Sequence, residues 1–329
     1  MCTAVTYRTK DHYFGRNLDL EYSYCETVTV TPRNYPFSFR EMGEMKNHYA
    51  MIGMAYVADG YPLYYDATNE KGLSIAGLNF PGNADYKPAL EGKDNVAPFE
   101  LIPWILGQCA TLSEAEKLLQ KINIWDENFS EELPLSPLHW ILADGERAIV
   151  LESLKDGIKI YDDPVGVLTN NPTFDYHLFN LNHYLHLTNQ EPVNTFAEGL
   201  ELTKYSRGMG AIGLPGDASS MSRFVRAAFV KMNSVSGESE AESVSQFFHI
   251  LKSVEMQKGC VNLGDGMYAE TIYSSCCNTD RGIYYYTTYG NSRIQAVDMH
   301  REDLDGRELV SYPLKTQQDI AYQNENKTR

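Results

Sequence analysis

The sequence predicts an α+β protein built on antiparallel sheets. Strand-like blocks open and close the chain, and the helical patterns are grouped between them. No G-x-G-x-x-G, P-loop or G-x-S-x-G stands in the strand-to-helix context that an alternating βαβ fold would supply. Gly208-Met209-Gly210 lacks both the preceding strand and a third glycine. Nothing repeats internally, and no Pro/Gly/Ser-rich linker or low-complexity tract divides the chain, so residues 1–329 are expected to form one domain.

The elements follow in order. After Cys2 comes an alternating run, Thr3-Ala4-Val5-Thr6-Tyr7, a polar break at Lys10-Asp11-His12, and then Tyr13 through Asp19, which together predict a β-hairpin. A two-residue turn at Lys10-Asp11 places Asp19 opposite Cys2, and a turn one residue longer moves the register by one. The hairpin is expected to continue into a third strand, Thr27–Thr31, ended by Pro32. Tyr49–Tyr56 and Gly72–Asn79 are further strands, with Asp59–Asp66 between them as a Tyr-rich loop. Pro98–Gln108 is one helix, and Thr111-Leu112-Ser113-Glu114 is a capping box opening a second, with Ala115, Leu118, Leu119 and Ile122 on one stripe. His139–Ala143, Ala148–Glu152 and Gly157–Tyr161 form a meander around Asp-Gly turns, followed by Val165–Thr169. Phe174–Leu187, Met221–Met232 and Ser243–Met256 carry helical patterns, the second one capped by the turn Pro215–Ser220. Tyr268–Cys277, Ile283–Tyr289 and Ile294–Met299 return to strands.

Composition narrows the function. A formal net charge of −16, from 44 acidic and 28 basic residues, repels nucleic acid and anionic membrane, so neither is expected as a partner. An acidic ligand must be met by local Arg or Lys. The chain opens straight into a strand, with no basic segment and apolar core of a signal peptide, and its longest apolar run, Leu101–Leu106, contains Pro103. A cytoplasmic, reducing location is therefore expected, with the six cysteines as free thiols. None forms C-x-x-C, the histidine spacing offers no zinc set, and no metal or cofactor is expected. Cys276-Cys277 lie in a strand, point to opposite faces and read as packing residues.

Cys2 is the residue with chemistry in it. A small second residue lets an aminopeptidase remove Met1, which would leave one residue with both a thiol and a free α-amino group. That amine titrates near about 8 and can take the thiol's proton and return it to a leaving group. The hairpin brings an Arg and an Asp beside it.

With these residues the chain resembles the choloylglycine hydrolase family, the bile salt hydrolases and penicillin V acylases among the N-terminal nucleophile hydrolases. The resemblance rests on Met-Cys-Thr-Ala, Phe-Gly-Arg-Asn-Leu-Asp at 14–19, Asn-Glu-Lys-Gly-Leu at 69–73, Gly-Leu-Asn-Phe at 77–80, Leu-Thr-Asn-Asn-Pro at 168–172 and Gly-Leu-Pro-Gly-Asp…Ser-Arg-Phe at 213–224, in order over nearly the whole chain. It implies a four-layer αββα sandwich, often assembled as a homotetramer. It implies Cys2 as nucleophile, Arg16 and Asp19 beside it, Asn79 as oxyanion donor through its backbone N–H, Asn170 as the second donor through its side chain, and Arg223 as a distal arginine. Asn171 is the neighbour most easily confused with Asn170. The implied reaction is hydrolysis of the amide bond in glycine- or taurine-conjugated bile salts. The steroid needs an apolar trough, for which Leu18, Tyr65, Phe129 and Leu133 are candidates by position. Penicillin V acylase is the alternative within the class, although the oxyanion position there is often Tyr and here is Asn79. A non-catalytic binding module with an incidental Cys2 is the alternative from another class.

Overall fold

The computed structural model describes residues 1–324. Fourteen strands build two antiparallel sheets. In chain order they are β1 (Cys2–Arg8), β2 (His12–Leu20), β3 (Thr27–Thr31), β4 (Met51–Ala58), β5 (Tyr61–Asn69), β6 (Ser74–Asn79), β7 (Leu138–Ala143), β8 (Ala148–Leu154), β9 (Gly157–Asp162), β10 (Val167–Leu168), β11 (Glu270–Asn278), β12 (Ile283–Thr288), β13 (Asn291–Asp298) and β14 (Val310–Pro313). One sheet has six strands in the order β10-β1-β2-β11-β12-β13, and the other eight in the order β9-β8-β7-β6-β5-β4-β3-β14. Helices α1 (Leu101–Gln108) and α2 (Leu112–Leu119) pack on the outer face of the eight-stranded sheet. Helices α4 (Ser220–Asn233) and α5 (Glu240–Lys252) cover the outer face of the six-stranded one, with α3 (Phe174–Asn180) beside α4. The result is the four-layer αββα sandwich.

Alternation along the strands sorts side chains between layers. On β4, Ile52 and Met54 face the opposite sheet, while Met51 and Ala55 face α1 and α2; on β7, Ile141 faces inward and Trp140 and Leu142 outward. Because each sheet is covered on both faces, β1 and β2 are buried along nearly their whole length. Gly15 sits where β2 crosses close to β11: a Cβ there would lie 2.0 Å from the Ser275 carbonyl oxygen.

Several sequence expectations are corrected. The hairpin turn spans three residues, Thr9 to Asp11, so Cys2 pairs with Leu18 and not with Asp19. Strand β3 leaves the hairpin's sheet and pairs with β4 in the other one. The expected Tyr-rich loop is strand β5, joined to β4 by Asp59-Gly60, whose positive φ values of 51° and 77° suit a tight hairpin turn. Strand β10 is only two residues long and pairs with β1, apart from the meander. The helical pattern at 174–187 is α3 followed by a 3₁₀ turn, Leu181–Tyr184, and α5 begins at Glu240 and ends at Lys252. At Thr111 only half of a capping box forms: its hydroxyl accepts the Glu114 N–H, while the Glu114 carboxylate turns to Ala110. Cys276 and Cys277 are both buried and unbridged, and burial pushes both thiols up.

Candidate active site

Cys2 opens β1 and is only 2% exposed. Three segments converge on it: β2 brings Arg16 and Asp19, the turn after β10 brings Asn170, and the first turn of α4 brings Arg223. The register explains the first of these. With Cys2 opposite Leu18, Asp19 lies opposite Met1; its N–H donates to the Met1 carbonyl at 2.9 Å, and its own carbonyl accepts from the terminal ammonium at 2.6 Å.

Asn170 ties the site together. Its Oδ1 accepts the Cys2 N–H at 2.9 Å and Arg223 Nη2 at 2.7 Å, while its Nδ2 donates to the Asn79 carbonyl at 2.7 Å. Two donors on one amide atom and an acceptor at the other fix the orientation of the side chain. Its backbone N–H donates to Ser220 Oγ at 2.8 Å, and its carbonyl accepts from His177 Nε2 at 2.8 Å. Asn171, by contrast, points to the Pro81 carbonyl and Asn83 Oδ1.

Arg223 is fully buried. Ser219 caps α4 by accepting the Ser222 N–H, which puts Arg223 in the first turn on the sheet-facing side. Its Nη1 donates to the Cys2 carbonyl and to Thr3 Oγ1, and its Nε to the Ala218 carbonyl at 3.0 Å. Arg16 works from the other side: its Nη1 donates to the carbonyls of Tyr65, at 3.0 Å, and Gly77, so it joins the hairpin to β5 and β6 across the sandwich. Next to Tyr65, the buried Asp66 carboxylate accepts the hydroxyls of Tyr273 at 2.8 Å and Tyr284 at 2.7 Å. Asp19 Oδ1 accepts from Thr271 Oγ1 at 2.6 Å, and its Oδ2 is buried with no partner among the described residues.

These surroundings set the charges. Burial pushes the Cys2 thiol up, but the Arg16 guanidinium and the terminal ammonium pull it further down, and the thiol ends below its ordinary value. Burial raises the Asp19 carboxyl and lowers Arg223. For Arg16 burial opposes the charge, yet the negative groups Cys2, Asp66 and Asp19 around it prevail and hold it above its ordinary value.

Asn79 is the exposed last residue of β6. The Phe80 N–H donates to the Pro137 carbonyl at 2.7 Å, so alternation turns the Asn79 N–H to the other edge of the strand. There the pairing with β5 has already stopped at Asp66 and Ala76. Of the trough candidates, Leu18 and Tyr65 pack on the hydrophobic cluster that contains Cys2. Phe129 lies elsewhere, its ring 5.9 Å from Tyr61 and 5.3 Å from Phe99, with Arg40 over it; Leu133 shares its loop, the carbonyl accepting from Ser130. No group of three or more His, Cys, Asp or Glu suited to a metal ion occurs among the described residues. No helix among them is long and apolar enough to cross a membrane.

A nucleophile held beside preplaced N–H donors suits attack on a carbonyl, and the comparisons with known proteins agree. The model of the family described as linear amide C–N hydrolases, choloylglycine hydrolase family, matches residues 2–312. The chain belongs to that family. It is 60% identical over 317 residues to a bile salt hydrolase/transferase of Lactiplantibacillus plantarum, covering 96% of this chain and 98% of the relative. A mutant of the conjugated bile acid hydrolase from Clostridium perfringens superposes with a TM-score of 0.91 at 37% identity, covering 98% of this chain and 100% of that one. Penicillin V acylase from Agrobacterium tumefaciens shares the fold, with a TM-score of 0.72 at 21% identity over 94% of this chain and 90% of that one.

As a choloylglycine hydrolase family member the chain is an amide-hydrolysing enzyme. The motif resemblance named Cys2, Arg16, Asp19, Asn79, Asn170 and Arg223, and the structure gathers them. It did not name the groups behind them: Thr3, Thr271, Ser220, His177 and Asp66. Asp66 is the one with a sequence signal, a lone acid inside a strand of aromatic and apolar residues.

Proposed function

We propose that the chain hydrolyses the amide bond joining glycine or taurine to the acyl group of a conjugated bile salt, with Cys2 as nucleophile after loss of Met1. The observation that carries this reading is that Asn170 and Arg223 grip both the N–H and the carbonyl of Cys2, the one residue whose thiol Arg16 draws toward thiolate.

The nitrogen that now donates to Asn170 becomes the α-amino group. Asp19 Oδ2, buried without a partner among the described residues, is the acceptor that holds it. The thiolate attacks the amide carbon, and the oxyanion takes the Asn79 N–H and the second Nδ2 hydrogen of Asn170, each supplying on the order of 3 kcal/mol of transition-state stabilisation. The α-ammonium gives its proton to the departing nitrogen, glycine or taurine leaves, and an acyl-thioester remains. Water, deprotonated by the same amine, adds to the thioester and releases the bile acid and the thiol. Leu18 and Tyr65 floor the apolar trough for the steroid, whereas Phe129, packed against Tyr61 and Phe99, and Leu133 in its loop lie apart from them.

Cys2→Ala is expected to abolish glycine release from a glycine conjugate, and retained release overturns the reading. Cys2→Ser should fold but turn over far more slowly, an alcohol being the poorer nucleophile beside a weak base. A panel of glyco- and tauro-conjugates alongside penicillin V tests the substrate, and turnover of penicillin V alone overturns the assignment. Intact mass with Met1 retained in active enzyme overturns the amine's role.

The same reading carries a homotetramer in the cytoplasm, where a reducing environment keeps Cys2 a thiol. Its support is the stretch 185–205, which leaves Leu185, Val193, Phe196 and Tyr205 each about 80% exposed. A monomer in analytical ultracentrifugation would refute the assembly.

A further inference from the structure

Strands β2 and β11 hold one register over most of their length: Asn278 pairs with Tyr13, Cys277 with Phe14, Ser274 with Asn17 and Tyr273 with Leu18. Past Tyr273 the register slips. The next partners are Thr271 and Asp19, then Glu270 and Leu20, so Ile272 is an extra residue in β11. Without the slip, the ladder would set Ile272 opposite Asp19. The bulge puts a hydroxyl there in place of an apolar side chain. That hydroxyl has a defined direction. The Met256 N–H donates to Thr271 Oγ1 at 2.8 Å, and Thr271 Oγ1 lies 2.6 Å from Asp19 Oδ1. A backbone N–H can only donate, so it takes a lone pair of the oxygen, and the single hydroxyl hydrogen goes to the carboxylate. Thr271 and Asp19 are both buried, and Asp19 Oδ2 has no partner among the described residues. The charged or titratable groups around the carboxylate are the terminal ammonium, the Cys2 thiol, Arg16 on β2, Arg223 on α4 and Glu255, immediately before Met256.

We propose that Thr271 is a positioning residue for the hydrolysis: its hydroxyl fixes the rotation of the Asp19 carboxylate so that Oδ2 is left for the α-amino group of Cys2. The backbone of Thr271 has a separate task. Its N–H donates to the Met256 carbonyl at 3.1 Å, which fastens the segment after α5 to the end of β11 without help from the side chain. Removing the hydroxyl therefore keeps that fastening and acts on the carboxylate. The inference rests on the role given above to Asp19 and the amine, and it names the group that aims them.

The test compares Thr271→Val, which keeps the shape and loses the hydroxyl, with Thr271→Ser, which keeps the hydroxyl and loses the methyl. In the Met1-processed enzyme, Thr271→Val is expected to lower kcat for glycine release from a glycine conjugate about tenfold or more, with KM within about twofold, because the amine acts in the transition state and not in substrate binding. The acid limb of the kcat profile should also move to higher pH. The hydroxyl bonds to the ionised carboxylate, so without it Asp19 takes up its proton at a higher pH than before, and the amine loses its counterion there. Thr271→Ser should restore the limb and bring kcat back to within about threefold. A residue that only packs would lower the melting temperature in both variants and leave the limb in place. An unmoved limb, an undiminished kcat in the Val variant, or a Ser variant no better than the Val variant overturns the proposal. A crystal structure of the processed, unsubstituted enzyme decides even if the variants do not fold. It should show the α-amino nitrogen on Asp19 Oδ2 and Thr271 on Oδ1; the nitrogen on Oδ1, or Thr271 turned away from Asp19, overturns the proposal. Failure of the underlying hydrolase reading is distinct: the unsubstituted protein would then release no glycine.

Discussion

Two hydrophobic clusters lie on either side of the eight-stranded sheet, and they are built on opposite terms. The outer one, between that sheet and α1–α2, consists of Leu101, Ile105, Leu106, Leu112, Trp140, Leu142 and their neighbours. Glu100 is the buried acid there, and its carboxylate accepts the backbone N–H groups of Arg40 and Ala97. The inner cluster, between the sheets and under α4–α5, contains Cys2 and is threaded by Arg16, Asp19, Asp66, Glu152 and Arg223, all at most 1% exposed. Burying such groups costs several kcal/mol each unless their partners are well placed. The difference shows where the molecule holds its stability and where it holds its chemistry: the apolar outer layer offsets the strain of a polar interior around the thiol.

The comparison can be broken from either side. Asn170→Leu is the largest expected effect. It removes the acceptor shared by Cys2 and Arg223, leaves a buried guanidinium donor unpaired, and deletes the proposed oxyanion donor. A loss of about 10²–10³ in kcat is expected, with a stability loss of about 1–3 kcal/mol. Glycine release and denaturant melts measure the two, and activity within threefold of wild type would place the oxyanion donor elsewhere. Ile105→Ala is the counterpart in the outer layer. Ile105 is fully buried, so its truncation should cost about 2–5 kcal/mol while the folded fraction keeps wild-type kcat/KM. A specific drop in kcat/KM would mean that the two layers are not separable in function.

Why the sequence showed one layer better than the other follows from the same contrast. The outer layer's helices carry apolar stripes and start signals: Pro98 opens a 3₁₀ turn, Pro98–Glu100, that runs into α1 at Leu101, and Thr111 caps α2. The inner layer's strands are covered on both faces, so β2 reads His-Tyr-Phe-Gly-Arg-Asn-Leu-Asp-Leu with no clean alternation, and nothing in it separates a buried Arg16 from a surface one. The hairpin pattern brought Arg16 and Asp19 toward Cys2, but only the motif resemblance singled out Asn170 and Arg223. The register of the hairpin stayed open by one residue because it depends on whether Thr9 belongs to the turn, a choice that hydrogen bonding to Asp11 settles in the folded chain. Strand β5 escaped because Pro62 and its crowded tyrosines resemble a loop, although Asp59-Gly60 was a hairpin signal. Thr271 and Ser220 were illegible since their partners lie 50 or more residues away, and His177 since its partner lies on the far side of the Asn171-Pro172 turn.

A titration sharpens the contrast within the inner cluster itself. His12 stands at the opposite end of β2 from Asp19, buried, with Nδ1 on Thr279 Oγ1 at 2.9 Å. Burial pushes it from 6.5 down to about 4, the nearby Asp280 only partly opposing. The unfolded chain takes up a proton below about pH 6.5 that the folded chain refuses until near pH 4, so this contribution is whole above 6.5 and is lost as pH falls. The window corresponds to roughly 3 kcal/mol. His12→Asn, which keeps a polar partner for Thr279, should flatten the stability loss between pH 6.5 and 4 by about that amount and leave kcat at neutral pH unchanged. Denaturant melts across that range check it, and an unaltered slope would show that His12 is not held neutral.

The smallest effect tests how local the outer layer's contribution is. Thr111 begins α2, and its hydroxyl accepts the Glu114 N–H at 3.3 Å. The rest of that helix start is held from elsewhere: Asp144 accepts the Leu112 N–H at 2.9 Å, and the Glu114 carboxylate holds Ala110. Removing one cap of this kind costs about 1 kcal/mol, and the long donor distance together with the Asp144 support argues for the lower part of that range. Thr111→Ala is therefore expected to lower stability by about 0.5–1 kcal/mol, read as a shift in denaturant midpoint at constant slope, with no change in glycine release. A loss above about 2 kcal/mol would show that α2 depends on its own cap more than on the apolar face it buries against Trp140 and Leu142, and the outer layer would then owe its stability to end effects as much as to packing.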